Sequence, residues 1–166
     1  MSAKRIFPSL FILVITIFMD MNGTAAARIP NVSFNGKWKI NLAESQHGES
    51  APAELLLTQT ADSVFIERTG ADQKSFVEKL SFDGKNCSCT TTSGRKKIGT
   101  AKWDDTSKES FIETATLSDA TDPGQVAFHV TEHWQLSADG KKLTEEITIS
   151  NASGAQFSSK AVYERQ

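Results

Sequence analysis

Residues 126–149 read VAFHVTEHWQLSADGKKLTEEITI, and this stretch decides the fold because two strand patterns face each other across a turn. In the first run, apolar side chains occupy most even positions up to Leu136, and polar side chains occupy most odd ones. In the second run, the odd positions from Leu143 onward are mostly apolar. A repeat of two residues is typical of a β-strand with one dry face. Because Asp139-Gly140 tolerates the positive φ of a tight turn, the stretch predicts a hairpin with Leu136 opposite Leu143.

Similar alternation recurs along the chain and predicts about ten short strands. They are 34–42, 54–60, 63–69, 74–82, 87–92, 97–103, 109–117, 126–136, 143–149 and 156–164. Most connections are short enough to force sequential antiparallel pairing, which would place Leu80 opposite Cys87 across the Asp83-Gly84 turn. Ten strands in one open sheet would expose two long edges, so the sheet must curl or close. The prediction is an all-β, antiparallel up-and-down meander of about ten strands that closes into a barrel.

The N-terminus has the pattern of a secretory signal. Lys4 and Arg5 precede an apolar run from Ile6 to Met19, and Ala25-Ala26-Ala27 offers the small residues that a signal peptidase needs. The run is shorter than the roughly 20 residues of a membrane span, so no stable membrane insertion is expected after cleavage. We therefore expect residues 1–27 to be removed after Ala27, leaving one secreted or periplasmic domain over residues 28–166.

Composition excludes some kinds of partner. The chain has 166 residues and a formal net charge of −2, with the two signs interleaved along the strands. Without a basic stripe for phosphates, nucleic acid is not an expected partner.

No metal site or other cofactor is expected. His129 and His133 lie four residues apart on one strand, a span of about 13 Å that a single ion cannot bridge. His133 should instead lie opposite Glu146 on the outer face of the hairpin. Cys87 and Cys89 should share an inward face, either as two small side chains or as a strained disulfide, with a redox or metal-binding pair as the rarer alternative.

Three carboxylates interrupt apolar faces, where an unpaired charge is costly. Glu78 falls in the row of Phe76 and Leu80, Glu132 falls beside Trp134, and Glu145 follows Leu143. Two explanations are open. In the first, these faces meet solvent at a barrel rim, or Glu132 and Glu145 are paired with inward Lys, Arg or Tyr groups. In the second, the acids line a lumen that holds water or a ligand.

Residues 34–40, FNGKWKI, resemble the first strand of the calycins, the lipocalin and fatty-acid-binding-protein barrels, which carry Gly-x-Trp there. Here the pair is Gly36 and Trp38. The final Val-Tyr-Glu-Arg, ending at Arg165, is similar to the closing strand of intracellular fatty-acid-binding proteins. Residues 134–143 are similar to small exported bacterial proteins described as lipocalin-like. In lipocalins a late arginine packs over the strand-one tryptophan, and the resemblance assigns that structural part to Arg165.

The chain departs from the fatty-acid-binding proteins in two places. Those proteins insert two helices after strand one, whereas residues 43–53 have room for one helical turn at most. Their carboxylate anchor is Arg-x-Tyr on the last strand, where this chain has Ala161 before Tyr163.

The resemblance implies an exported lipocalin-like protein that binds a small, apolar or amphipathic ligand in the barrel interior. The expected contacts are Glu78, Glu132, Trp134, Glu145 and Tyr163. The alternative is a filled barrel or sandwich that acts as a surface or envelope interaction module without a cavity. An enzyme is not expected, because no Ser–His pair or nucleophile elbow accompanies the acids.

Overall fold

The computed structural model describes residues 33–107 and 109–166. The predicted signal segment lies outside the described residues. Ten strands are present: β1 Gly36–Ile40, β2 Glu54–Gln59, β3 Ser63–Thr69, β4 Ser75–Ser81, β5 Cys87–Thr90, β6 Lys96–Trp103, β7 Ser110–Ser118, β8 Val126–Leu136, β9 Lys142–Asn151 and β10 Gln156–Arg165. A single 3₁₀ turn, Gly48–Ser50, lies between β1 and β2. Most strand bounds differ from the predicted ones by one or two residues.

The strands form one antiparallel sheet in the order β4-β3-β2-β1-β10-β9-β8-β7-β6-β5. Because β1 pairs with β10, the meander curls into a nearly closed barrel whose two free edges are β4 and β5. The all-β meander predicted from the sequence is confirmed. Among the described residues, no helix is long and apolar enough to cross a membrane.

The predicted pairing of Leu80 with Cys87 is wrong, because β4 and β5 lie at opposite ends of the hydrogen-bonded strand order and Cys87 pairs with Gly99 of β6. The end of β4 is held toward β3, where the Phe82 amide donates to the Asp62 carbonyl at 2.9 Å. The Phe82 ring stacks on Trp103 with centroids 4.0 Å apart. The connection after β4 does not form the predicted hairpin, and β4 and β5 are not hydrogen-bonded to each other.

The hairpin of β8 and β9 has the predicted register. Leu136 lies opposite Leu143, and His133 lies opposite Glu146. The turn closes with a 2.8 Å hydrogen bond from the Gly140 amide to the Ser137 carbonyl, and Gly140 takes a φ of 69°. The turn chemistry of Asp139-Gly140 therefore sets the register of both strands.

One end of the barrel is filled with aromatic rings. Phe111 lies edge-on to Phe34 at 5.2 Å and to Trp103 at 5.9 Å, and it stacks on Trp134 at 5.8 Å. The Trp38 indole donates to the Phe34 carbonyl at 3.0 Å. Trp103 is half-buried and the other four rings are fully buried, so this end carries most of the apolar core.

Arg165 closes this end over Trp38, as the resemblance implied. Its guanidinium lies 4.2 Å from the centroid of the Trp38 ring and donates to the carbonyls of Gly140, Ser33 and Asn35. Gly36 has a φ of 138°, and a Cβ there would lie 3.0 Å from Arg165 Nη1. The Gly-x-Trp pattern is therefore explained by the space that the arginine occupies.

Candidate functional site

A cluster of six charged side chains fills the middle of the barrel. Each sits on the inward face of its strand, and only 1–6% of each residue's surface is exposed: Arg68 on β3, Glu78 on β4, Lys97 on β6, Glu113 on β7, Glu132 on β8 and Glu145 on β9. We call these six residues the charged layer. Their burial follows from strand alternation, because each shares its face with buried apolar neighbours.

Arg68 lies at the centre of this layer and contacts three glutamates. Its Nε donates to Glu78 Oε1 at 2.6 Å, its Nη1 donates to Glu145 Oε1 at 2.6 Å, and its Nη2 donates to Glu132 Oε2. Nη2 is also 2.6 Å from Glu78 Oε1. The Cζ atom lies 4.9 Å from the centroid of the Trp134 ring. The guanidinium is thus fixed on its edge by carboxylates and on its face by an aromatic ring.

Lys97 lies where three carboxylates converge. Oxygens of Glu78, Glu113 and Glu132 lie within 4.8 Å of one another, a spacing that suits a metal ion. Lys97 Nζ lies 2.7, 2.8 and 3.1 Å from oxygens of these same three residues. The ammonium group therefore takes the position and the charge that a cation would supply.

The charged layer has more acids than bases. Two cations face four carboxylates, which leaves an excess of two negative charges when every group is ionised. Burial and the neighbouring Glu132 and Glu78 raise the pKa of Glu113 well above its usual value. Burial also raises the pKa of Glu145, against the opposing effect of Arg68. For Glu132, Arg68 and Lys97 outweigh burial and hold its pKa at about 2.

Two buried polar groups of the site lack a hydrogen-bond partner. Glu113 has ion-pair contacts, with Oε1 2.8 Å from Lys97 Nζ and Oε2 3.9 Å from Arg68 Nη2, but neither oxygen accepts a hydrogen bond of regular geometry. The Trp134 indole nitrogen also has no acceptor. Tyr163, by contrast, donates to Glu145 Oε2 at 3.1 Å. Among the four glutamates of the layer, Glu113 is therefore the one held by ion-pair contacts without a hydrogen bond.

A cavity of about 280 Å³ lies on the side of the charged layer away from the aromatic end. Its walls include five apolar side chains: Phe76, Leu117, Val130, Ile147 and Ile149. Its floor includes Arg68, Lys97 and Glu132. A second space of about 100 Å³ adjoins it along β9 and β10 and includes Glu145 in its lining. The turns before β2, between β3 and β4 and between β5 and β6 contribute Pro52, Gly70 and Thr91 to the rim.

Of the five residues expected at the ligand site, Glu132 lines the cavity and Glu145 lines the adjoining space, whereas Glu78, Trp134 and Tyr163 lie behind them and line neither. Glu78, Glu132 and Glu145 belong to the charged layer, Trp134 stacks beneath Arg68, and Tyr163 contacts Glu145. Of the two explanations open for these acids, pairing with inward Arg, Lys and Tyr groups is present, and the cavity adjoins the same groups. The sequence prediction missed Arg68, Lys97 and Glu113.

The histidines and cysteines lie elsewhere. His133 Nε2 lies 3.4 Å from Asp104 Oδ2 on the outer face. Cys87 and Cys89 are free thiols that line a small gap of about 10 Å³ between β4 and β5. Burial and the nearby Glu78 raise the pKa of Cys89 to about 11, which keeps its thiol protonated and weakly nucleophilic.

No protein-family model and no curated protein sequence matches the chain. Among solved structures, the chain is similar to the zebrafish ileal bile acid-binding protein complexed with cholic acid. The TM-score is 0.53 and the identity is 18%, over 80% of this chain and 98% of that one. The likeness shows the fold, a calycin-like barrel.

Proposed function

We propose that this protein binds a small, partly apolar molecule inside the barrel. The observation that carries the proposal is the cavity of about 280 Å³ with apolar walls and a charged floor. Ligand sites are commonly concave, mostly apolar and supplied with a few convergent polar groups. The similar zebrafish protein is named for the bile acids it binds, which supports the use of such a barrel for an amphipathic ligand. The expected polar contacts are Glu132 and Glu145, with Glu78, Trp134 and Tyr163 behind them as the groups that hold the floor in place.

The cavity favours this proposal over a filled interaction module. Large side chains fill only the aromatic end, whereas Ile147 and Ile149 on the far side of the charged layer border open space. Phe157 does not fill this space either, because 45% of it is exposed. The acids also favour binding over acid–base catalysis, since Glu78, Glu132 and Glu145 are held in ion pairs with Arg68 or Lys97.

The test is the binding of N-phenyl-1-naphthylamine, an uncharged apolar dye whose emission rises in dry surroundings. We expect one dye per protein and at least tenfold weaker binding in Ile147→Trp, because the larger ring occupies the cavity. The matched control is Glu146→Trp, since the neighbouring side chain points outward into solvent. A folded wild-type protein that binds no dye, or an Ile147→Trp variant that binds it unchanged, contradicts the proposal.

We also propose that the chain is exported and that the mature protein begins at Arg28. The support is the N-terminal pattern of basic residues, apolar run and small residues. N-terminal sequencing of the protein purified from its own host tests this. A mature chain that retains the apolar run would contradict it. Native mass spectrometry of the same sample would reveal any bound small molecule.

A further inference from the structure

We infer that the cavity selects ligands whose head group is a cation, such as a primary amine, over ligands that carry a carboxylate. The inference rests on the proposed function, because it concerns the chemistry of the same cavity. Its basis is the balance of charges and hydrogen bonds in the charged layer, of which Arg68, Lys97 and Glu132 form the cavity floor.

The cations of the floor are already engaged by protein carboxylates. Lys97 Nζ contacts oxygens of three different glutamates at 2.7, 2.8 and 3.1 Å. All three nitrogens of Arg68 donate to glutamates as well. A ligand carboxylate would have to displace one of these buried partners, which would leave a displaced charge without its pair.

The third cation on the cavity lining, Lys74, is a weak anchor. It lies at the rim with 70% of its side chain exposed, and it pairs with Asp72 at 2.9 Å. Exposed pairs of this kind contribute little, because solvent screens them. No basic group on the cavity lining is therefore both buried and free to receive an anion.

The acceptors, in contrast, are in excess. Four carboxylates face two cations, and two of these acids, Glu132 and Glu145, line the cavity and the adjoining space. An ammonium head group at Glu132 or Glu145 would supply N–H donors and a positive charge in place of the protons that otherwise balance the layer. A carboxylate at the same place would add a negative charge to a buried site in which acids already outnumber bases.

The experiment compares three ligands with the same eight-carbon tail: octylamine, 1-octanol and octanoate, each displacing N-phenyl-1-naphthylamine at pH 7. The tail contribution is the same in all three, so differences in dissociation constant report on the head group. We expect octylamine to bind at least tenfold more tightly than octanoate, with octanol between them. Glu132→Gln should reduce the ratio of the two affinities, and the outward-facing Glu146→Gln should leave it unchanged.

The outcomes separate the inference from the proposed function. Octanoate binding as tightly as octylamine, or more tightly, overturns the inference but leaves a ligand-binding cavity. Dye binding that none of the three ligands displaces also overturns it. If the dye itself fails to bind, the proposed function fails first. Because the comparison is made on the wild-type protein, it does not depend on a variant that folds.

Proton release gives a second readout. The raised pKa values of Glu113 and Glu145 mean that the layer holds protons which an incoming ammonium group would displace. Calorimetry in two buffers of different ionisation enthalpy should therefore show net proton release when octylamine binds, and less release in Glu113→Gln. Tight binding without proton release would place the amine away from the charged layer and overturn the inference.

Discussion

At the scale of single residues, Lys97 is the cation that holds three converging carboxylates together. Its ammonium group lies within 3.1 Å of oxygens from Glu78, Glu113 and Glu132, and almost no solvent reaches it. Removing one partner of a buried ionic network leaves the others uncompensated, which is costlier than removing the whole network. We therefore expect Lys97→Met to lower the free energy of unfolding at pH 7 by about 3–5 kcal/mol, as measured by urea denaturation.

The matched control for Lys97 is its neighbour Lys96. Lys96 is exposed on the opposite face of β6, so Lys96→Met removes the same charge without opening the network. Its effect should stay within about 0.5 kcal/mol, as for most surface substitutions. Equal stability of the two variants would show that Lys97 does not hold the carboxylates in place.

Gly36 has no side chain, and Arg165 occupies the space that a side chain there would need. An alanine there would combine a φ of 138° with a Cβ 3.0 Å from Arg165 Nη1, so the arginine would have to leave its place over Trp38. Strain of this kind costs about 1–3 kcal/mol, and we expect Gly36→Ala to lower stability by that amount. Gly84→Ala is the comparison, because its φ of 78° is also positive but no atom lies within 4 Å. A smaller loss at Gly36 than at Gly84 would contradict this account.

The sequence predicted those site residues that lie in strands with a regular alternation of apolar and polar side chains. Glu132 and Glu145 stood out because they interrupt long, regular strands. Arg68 was missed because it lies near the end of β3. A charged residue at that place is also typical of a strand whose last residues leave the core. Lys97 begins its strand beside another lysine, and Glu113 follows two adjacent apolar residues that hide the alternation. The basic partners of the acids could therefore be identified only in the folded structure, where their strands face the same interior.

At the scale of elements, the main difference from the predicted meander is that β4 and β5 are not hydrogen-bonded to each other. The connection after β4 looked like the Asp-Gly turn of the β8–β9 hairpin, and local turn chemistry alone predicts pairing there. The stacking of Phe82 on Trp103 and the backbone bond to Asp62 are long-range contacts that the sequence does not show. Every other sequential pairing was predictable, because connections of a few residues leave antiparallel neighbours as the simplest solution.

The open edges make a prediction about local stability. β5 has four residues and pairs on one side only, with β6, whereas β8 and β9 are paired on both sides. Amide hydrogens of an unpaired edge open by small local fluctuations, while those of central strands need larger ones. We expect hydrogen–deuterium exchange over residues 87–90 to be at least a hundredfold faster than over residues 130–136. Similar protection of both segments would show that the gap between β4 and β5 is closed in solution.

At the scale of the whole molecule, the charged layer couples folding to pH. The folded-state pKa values of Glu113 and Glu145 lie above the value of 4.5 expected for an exposed glutamate, because burial disfavours their charged forms. Above about pH 4.5 the folded protein therefore keeps protons that the unfolded chain has released. Stability rises with pH only where the unfolded state binds more protons, so these two groups make stability fall as pH rises.

Glu132 has the opposite effect on the pH dependence of stability, and its effect falls in a lower pH range. Its pKa of about 2 lies below the ordinary 4.5, because Arg68 and Lys97 outweigh its burial. Its contribution is present above pH 4.5 and is lost as the pH falls toward 2. The combination predicts maximal stability near pH 4–5, which is more acidic than the range of about pH 5–8 where stability usually peaks.

We therefore expect the free energy of unfolding, measured by urea denaturation, to be lower at pH 8 than at pH 5. The slope is at most about 1.4 kcal/mol per pH unit for each proton that the folded state retains. Glu113→Gln should flatten this decline, because a neutral amide replaces a group that must otherwise stay protonated. Glu146→Gln, which removes an exposed carboxylate next to Glu145, should follow the wild-type curve. Stability that stays level or rises from pH 5 to pH 8 would show that Glu113 and Glu145 do not retain protons in the folded barrel. The excess of acids over bases would then have to be neutralised by a cation bound among them.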